Sequence, residues 1–548
     1  MFEIGRDILN NTARSVIGDK TARSRITVVF CIFVSVFILF AGYTLYLGFQ
    51  GTDHGRRRGA ASEWVAGRAD IVDRNGDILA KNVMSGHIQL CPQFVVDRDA
   101  VARLIHDVLP HEYTLASALK LVDAKMKESR RQCKQIKKFA TKEQRDKVIS
   151  AKVPGLEIKS EQERKYPKRH LFSHVVGFVN GDGYGADGAE RTYDKYLREN
   201  TDPLRLSLDA RIQTIFHNEL SKAMQTYQAK GAMGMLMDVR TGEMLAMVSL
   251  PDFDPENIGA SPIQNRTFAP MRRVFDLGSV FKVFNTALAL ENGIDLTREY
   301  YVAKPFPIYD KNGRLAKNIS DIRSFKPPRP NLSVEEIMLH SCNVGSAQIA
   351  LELPDGAQKE FFERLHMDRA LNLEFGRTEN TIPQRKWGPV ERATVAYGQG
   401  YAITPMHLLL GMNAVTNGGI YTYPTIKKRP VGQIRGERVL ADEISAKLRP
   451  IMVRVVQETS GRKANIPGFL IGGKTATAEK VVGGKIDANH NVTTFVAIFP
   501  ADVPQYIAMV TLDEPQGTKE SWGWRTAAWN AVPTTGKILE SILPLLFE

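Results

Sequence analysis

The chain has 548 residues, too many for one ordinary hydrophobic core, so two or three folded units are expected. Hydrophobic residues make up 43% and charged residues 24%, a globular balance that leaves little room for long disordered tracts. The formal charge of +13 is concentrated in residues 120–170, with 17 Lys or Arg against 7 Asp or Glu, but this stretch lacks the run of interleaved aromatic rings that nucleic-acid binding would use.

From the N-terminus, no charged residue lies between Arg25 and Asp53. Residues 26–49, ITVVFCIFVSVFILFAGYTLYLGF, are long enough to cross a hydrocarbon layer of about 30 Å as one helix. A cleaved signal peptide would have a shorter apolar region, about 7–15 residues ending at small side chains, whereas this one continues through Tyr43, Leu45, Tyr46 and Leu47. An uncleaved single-span anchor is therefore expected. Arg14, Lys20, Arg23 and Arg25 precede the span and Arg56, Arg57 and Arg58 follow it, so charge alone leaves its orientation open.

Next, GRADIVDRNGDILAKNV alternates apolar residues about Asn75-Gly76, a hairpin signal. The segment AKMKESRRQCKQIKKFATKEQRDK reads as the solvated face of a charged helix. Cys91 and Cys133 could pair if this region lies outside the cytoplasm; Cys31 lies in the span and Cys342 stands alone. No Cys-x-x-Cys or His/Cys cluster suggests a metal site. A break near Thr201-Asp202-Pro203 precedes MGMLMDVRTGEMLAMVSL, two strands joined at Thr241-Gly242, after which helical and strand patterns alternate as in one large α/β domain. The expected organisation is a tail (1–25), a transmembrane helix (26–50), a small pedestal domain (51–202) and a large domain (203–548).

In the large domain, FDLGSVFKVFNTALALENG has a helical apolar period from Val280 to Leu290 and a stop at Gly293. Ser279 stands at its start, with Lys282 one turn on and on the same face. A serine hydroxyl needs a base to become nucleophilic, and a desolvated lysine can be neutral enough to serve. The pattern S-x-x-K also occurs at Ser117/Lys120, in the basic N-terminal region, and at Ser460/Lys463, in the polar loop-like ETSGRKANIPG. Only Ser279 opens a strongly apolar helix. In NLSVEEIMLHSCNVGSAQIA, Ser333 and Glu336 make a capping box, and the helix they open gives way at Ser341-Cys342-Asn343, the chain's one S-x-N. Finally, GFLIGGKTATAEK fits both a phosphate loop (Gly468, Gly473, Lys474, Thr475) and an exposed strand presenting Lys474, Thr475 and Thr477 to a carboxylate. The phosphate loop fails on context: GRKANIP precedes it instead of a buried strand, and Gly483-Gly484 interrupts the long helix that should follow.

Taken in order, S-x-x-K, S-x-N and the K-T-G-like strand resemble the active-site set of the penicillin-binding proteins and serine β-lactamases. GRADIVDRNGDILA, LRLSLDARIQTIFHNEL, YGQGYAITPMHLLL and FPADVPQYIAMVTLDEPQG are similar to segments of membrane-anchored class B penicillin-binding proteins. The ending WRTAAWNAVPTTGKILESILPLLF and the short N-terminal module look most like the septal, cell-division branch rather than the elongation branch. The resemblance implies an α/β (α+β) transpeptidase domain of the penicillin-binding/β-lactamase type on a mixed α+β, dimerisation-type pedestal. The activity implied is that of a serine D-Ala-D-Ala transpeptidase that cross-links peptidoglycan stem peptides and is inhibited by β-lactams. Ser279, Lys282, Ser341, Asn343 and Lys474 would be catalytic; Thr475, Ala476, Thr477, Gly398, Gln399 and Gly400 would line the substrate. No metal or organic cofactor is implied. The implied partners are the bilayer of the bacterial inner membrane, a polytopic glycosyltransferase polymerising lipid-linked precursor, and other division proteins. The N-terminus would be cytoplasmic and the catalytic domain periplasmic.

Three departures stand out: Asp276-Leu277-Gly278-Ser279 in place of a Pro-Gly-Ser lead, Ala69 where the pedestal pattern is R-G-x-I, and Ala476 where K-T-G has glycine. The Ala476 methyl is expected to crowd the strand against substrate and to weaken or alter acylation. Other classes consistent with the motifs are an elongation-type transpeptidase, a catalytically weakened division scaffold, a β-lactam sensor and a β-lactamase. A sensor usually has more spans, and an anchor with a pedestal is not the usual build of a β-lactamase.

Overall fold

The computed structural model describes residues 20–50, 67–128, 132–310, 312–322, 325–430, 436–482 and 485–547. It comprises two compact units, Met1–Val65 and Ala66–Glu548. In the first, helix α1 (Lys20–Gln50) spreads its apolar residues around the whole circumference, and its segment Thr27–Thr44 has mean hydropathy 2.3 with none of it buried. Such a helix is long and apolar enough to cross a membrane. Arg14 and the cluster Arg56, Arg57 and Arg58 lie outside the described residues.

The second unit begins with β1 (Ile71–Val72) and β2 (Ile78–Leu90), antiparallel about the expected Asn75-Gly76 turn, where Gly76 has φ +103°. Asp73 builds that turn: its Oδ1 accepts the N–H groups of Asn75, Gly76 and Asp77, each at 2.8 Å. Its Oδ2 accepts the N–H of Ala210 at 3.0 Å and so ties the hairpin to the large domain. Then come α2 (Arg98–Val108), α3 (Leu115–Glu128), β3 (Lys134–Lys137), α4 (Lys142–Ala151), β4 (Leu156–Lys165) and β5 (Leu204–Arg205). The sheet order is β3-β2-β1-β5, with β4 also paired to β2. The basic stretch is therefore not one charged helix, as its composition suggested. Cys133, bonded to Cys91, leads into a strand on β2, and a Thr141/Gln144 capping box starts a new helix. Val101, Ile105, Ala118, Val122 and Val148 close a small core beneath it.

A buried ion cluster fastens the entry to this domain. Arg68 donates to Glu190 at 2.5 Å and to Asp194 at 2.7 Å, while Arg164 donates to the other Glu190 oxygen at 2.6 Å. Glu190 is fully buried, so both cations are needed to offset its desolvation.

In the large domain, α5 (Ala210–Thr226), β6 (Gly231–Asp238) and β7 (Met244–Leu250) are followed by the helices α6 (Phe281–Glu291), α7 (Val334–His340), α8 (Asn343–Glu352), α9 (Pro405–Thr416) and α10 (Asp442–Glu458). The chain then returns as β8 (Gly472–Val482), β9 (Lys485–Phe499), β10 (Tyr506–Asp513) and α11 (Ala531–Leu546). The sheet is wholly antiparallel, in the order β8-β9-β10-β6-β7. Both faces are covered, which is why β6 and β10 are buried along their whole length. Phe216, Leu220, Ile538 and Leu539 of α5 and α11 pack one face; Phe281, Phe284, Leu409 and Met452 of α6, α9 and α10 belong to the core on the other. β8 and β7 are the two edge strands, and β8 is the one that meets the Gly278–Val280 turn.

Removing Arg68 would strand a buried carboxylate. Arg68→Ala is expected to cost about 3–5 kcal/mol in urea unfolding of the extramembrane part, whereas a change at exposed Arg98 should cost under about 1 kcal/mol.

Candidate active site

Edge strand β8 of the large domain faces a short turn. Residues Gly278–Val280 form one 3-10 turn that runs into α6, and Gly278 takes φ +59°, a conformation that favours glycine. α6 is buried on all sides from Phe281 to Ala289, so Lys282 is carried inside the protein, where an isolated amphipathic helix would have left it on the surface. As the periodicity predicts, the helix ends at Asn292, and Gly293 follows at φ +80°.

Behind the turn lie Gly398, Gln399 and Gly400. The Gly278 N–H donates to the Gly398 carbonyl at 3.2 Å, and a Cβ at Gly398, where φ is +83°, would fall 2.0 Å from the Gly278 oxygen. Gln399 accepts from the Tyr397 hydroxyl at 3.3 Å, and the Gly400 N–H donates to Asp276 at 3.1 Å. Burial raises the Asp276 carboxyl above the usual range.

The capping box of Ser333 and Glu336 is present. α7 closes at Ser341, which takes the left-handed conformation at φ +61°, and the Cys342 sulfur caps α8 by accepting the Gly345 N–H at 3.3 Å. That reversal brings Ser341 and Asn343 to the amine of Lys282. The Lys282 Nζ lies 2.9 Å from Ser279 Oγ, 3.1 Å from Ser341 Oγ, 2.6 Å from the Ser341 carbonyl and 2.7 Å from Asn343 Oδ1. From β8, the Lys474 Nζ donates to the same Ser341 Oγ at 3.0 Å. Five predicted residues thus converge on one point.

The rest of β8 alternates. Lys474 and Ala476 point to the helical side, and the Ala476 methyl is buried in that core while its ladder partner is Thr494 in unbroken register. Thr475 and Thr477 point to the opposite side: Thr475 Oγ1 is 2.8 Å from Ser460 Oγ, and Thr477 Oγ1 accepts the Ala527 N–H at 3.0 Å. Any crowding by Ala476 therefore falls on the nucleophile side of the strand and not on the threonine side.

Both amines are buried, Lys282 to 1% and Lys474 to 0% exposure. Burial draws Lys282 down to about 8, with Asp321 and Cys342 acting the other way. Lys474 lies well below its ordinary value through burial and then through the like charge of Lys282. An amine that is partly neutral near physiological pH and 2.9 Å from a hydroxyl can take its proton, the first step of nucleophilic acyl transfer.

Three contributors carry no motif. Asp276 braces the glycine turn, and Asp321 accepts the backbone N–H of Asn343 and, at 3.2 Å, the Cys342 thiol. Ser460, set aside above as the loop member of a weak S-x-x-K, is the partner of Thr475.

Residues 232–532 match the family model of the penicillin binding protein transpeptidase domain, and residues 63–225 match that of the penicillin-binding protein dimerisation domain. The chain belongs to the penicillin-binding protein transpeptidase family. It is 31% identical over 523 residues to the probable peptidoglycan D,D-transpeptidase FtsI of Caulobacter vibrioides, covering 92% of this chain and 86% of that protein. It is 30% identical to Escherichia coli peptidoglycan D,D-transpeptidase FtsI, covering 73% and 70% respectively. Stage V sporulation protein D of Bacillus subtilis is 29% identical, over 87% of this chain and 78% of that one. Among solved structures, a peptidoglycan synthetase from Bifidobacterium adolescentis shares the fold with TM-score 0.64 and 21% identity, covering 88% of this chain and 95% of that one.

The glycine turn gives a test remote from the reacting atoms. Gly398→Ala combines left-handed strain of about 1–2 kcal/mol with a clash on Gly278, and is expected to slow covalent labelling by penicillin at least tenfold. Labelling kinetics alongside a melting curve will separate displacement of Ser279 from unfolding.

Proposed function

We propose that this protein is a peptidoglycan D,D-transpeptidase of septal cell-wall synthesis that works through an acyl-enzyme on Ser279. The observation that carries this reading is the buried Lys282 amine, 2.9 Å from the Ser279 hydroxyl and held there by Ser341 and Asn343. Neutral Lys282 takes the hydroxyl proton as Ser279 Oγ attacks the carbonyl between the two terminal D-alanines of a stem peptide. The oxyanion is met by the backbone N–H groups of Ser279 and Thr477. As the C–N bond breaks, Ser341 passes a proton to the leaving amine. Asn343 orients Lys282 and the substrate amide, and Lys474 supplies positive potential at Ser341. Thr475 and Thr477 receive the terminal carboxylate, with Gly398, Gln399 and Gly400 framing the cleft. An amine of a neighbouring stem peptide then attacks the ester, releasing Ser279 and forming the cross-link. A β-lactam enters by the first half of the same path.

The setting is proposed on the same footing. Residues 26–50 span the inner membrane once with the N-terminus cytoplasmic, residues 51–202 form the pedestal, and residues 203–548 act in the periplasm. A polytopic glycosyltransferase that polymerises lipid-linked precursor, together with other division proteins, would engage the span and pedestal. Similarity to the two FtsI proteins over most of their length supports the septal assignment.

Mass spectrometry after penicillin treatment should place one adduct on the peptide containing Ser279 and none in Ser279→Ala; an adduct elsewhere, or none in the native protein, overturns the assignment. The pH dependence has a definite sign. Because the neutral form of Lys282 is the base, acylation should rise roughly tenfold per pH unit below its pKa, between pH 6 and about 8, and level off above.

A further inference from the structure

Outside the motifs, one acidic side chain bears on the Lys282 amine. Asp321 lies in the irregular segment after Ser320, far in sequence from S-x-x-K, and reaches the Ser341–Asn343 reversal from the side. One of its oxygens accepts the Asn343 N–H, and the other accepts the Cys342 thiol at 3.2 Å. The neighbouring Ser320 carbonyl accepts Asn343 Nδ2 at 3.4 Å, leaving Asn343 Oδ1 turned toward Lys282. Lys282 and Lys474 have no carboxylate partner within ion-pair distance among the described residues; their contacts are hydroxyls, carbonyls and the Asn343 amide.

We propose that Asp321 is a positioning residue for acylation: it holds Cys342 and Asn343 in the turn that aims the amide at Lys282, and its charge sets the pH at which that amine becomes a base. The inference rests on Lys282 acting as the base for Ser279. The groups bearing on the amine are Asp321, which favours its proton, and Cys342, whose thiol burial pushes up to about 12; the Lys474 amine on β8, which shares Ser341 with it, is itself lowered by burial and by the charge of Lys282. The Tyr397 phenol also feels Asp321 and, raised to about 12, stays uncharged. Asp321 is thus the one carboxyl side chain in the set.

The sign follows. Without the negative charge, the ammonium form of Lys282 loses stabilisation, its pKa falls, and the neutral base is present at lower pH. In stopped-flow acylation of the full chain by a chromogenic β-lactam, the rising limb for Asp321→Asn is expected to move down by about one pH unit relative to the native protein. Asp321→Glu should keep the limb in place while lowering its plateau. A role confined to holding the turn would lower the plateau of Asp321→Asn without moving the limb, and that result overturns the proposal. So does a limb displaced equally in Asp321→Glu, the comparison that decides if Asp321→Asn fails to fold. Failure of the native protein to acylate at any pH would instead defeat the reading of Ser279 and Lys282 themselves.

Discussion

Two buried lysine amines share one half-buried hydroxyl, and most of the large domain's architecture serves to make that arrangement tolerable. Lys282 and Lys474 both donate to Ser341 Oγ from inside the protein, where two full charges would repel each other at low effective dielectric. The cost is relieved by loss of protons, by four polar contacts around Lys282, and by a nearby carboxylate. A base made in this way needs no histidine. It depends instead on how well water is excluded, hence on a helix α6 buried around its entire circumference.

That burial explains the unusual local geometry. A helix packed on all sides cannot also offer its first residue to substrate unless the chain turns sharply before it, which the left-handed Gly278 accomplishes. Ser341 makes a second left-handed turn so that one short segment can end α7, present its hydroxyl and start α8. Such conformations persist only where surrounding contacts over-determine them. Here Gly398 lies against Gly278, and Asp321 holds Asn343.

What could be read from the sequence divides along the same physical line. Ser279 with Lys282, and Ser341 with Asn343, are legible because helix pitch or a tight reversal puts each pair together within a few residues. The anchor, the Asn75-Gly76 hairpin and the paired strands about Gly242 are legible for the same reason: local periodicity and turn chemistry decide them. Asp321 and Asp276 act on backbone groups brought to them only by tertiary folding, and no spacing announces such contacts. Ser460 was passed over because a polar, glycine-bearing segment reads as loop, although a loop beside an edge strand is well placed to reach Thr475. The basic stretch misleads in the opposite direction. Charges at helical spacing say nothing about a break, and the break is set by Cys133 and by β3 pairing with β2.

Strand β8 resolves the meaning of its altered third position. Because side chains alternate, one extended segment can send its lysine to Ser341 and its threonines to the far side, and whatever occupies position 476 belongs with the lysine. Glycine there would lack the methyl that Ala476 buries in the helical core, one strand position before Gly278 meets the Thr477 carbonyl and Ala478. The substitution therefore acts on the lysine side of β8 and leaves the hydroxyls of Thr475 and Thr477 where Ser460 and Ala527 hold them. An effect of Ala476 should accordingly surface in the rate of acylation more than in the affinity for a carboxylate.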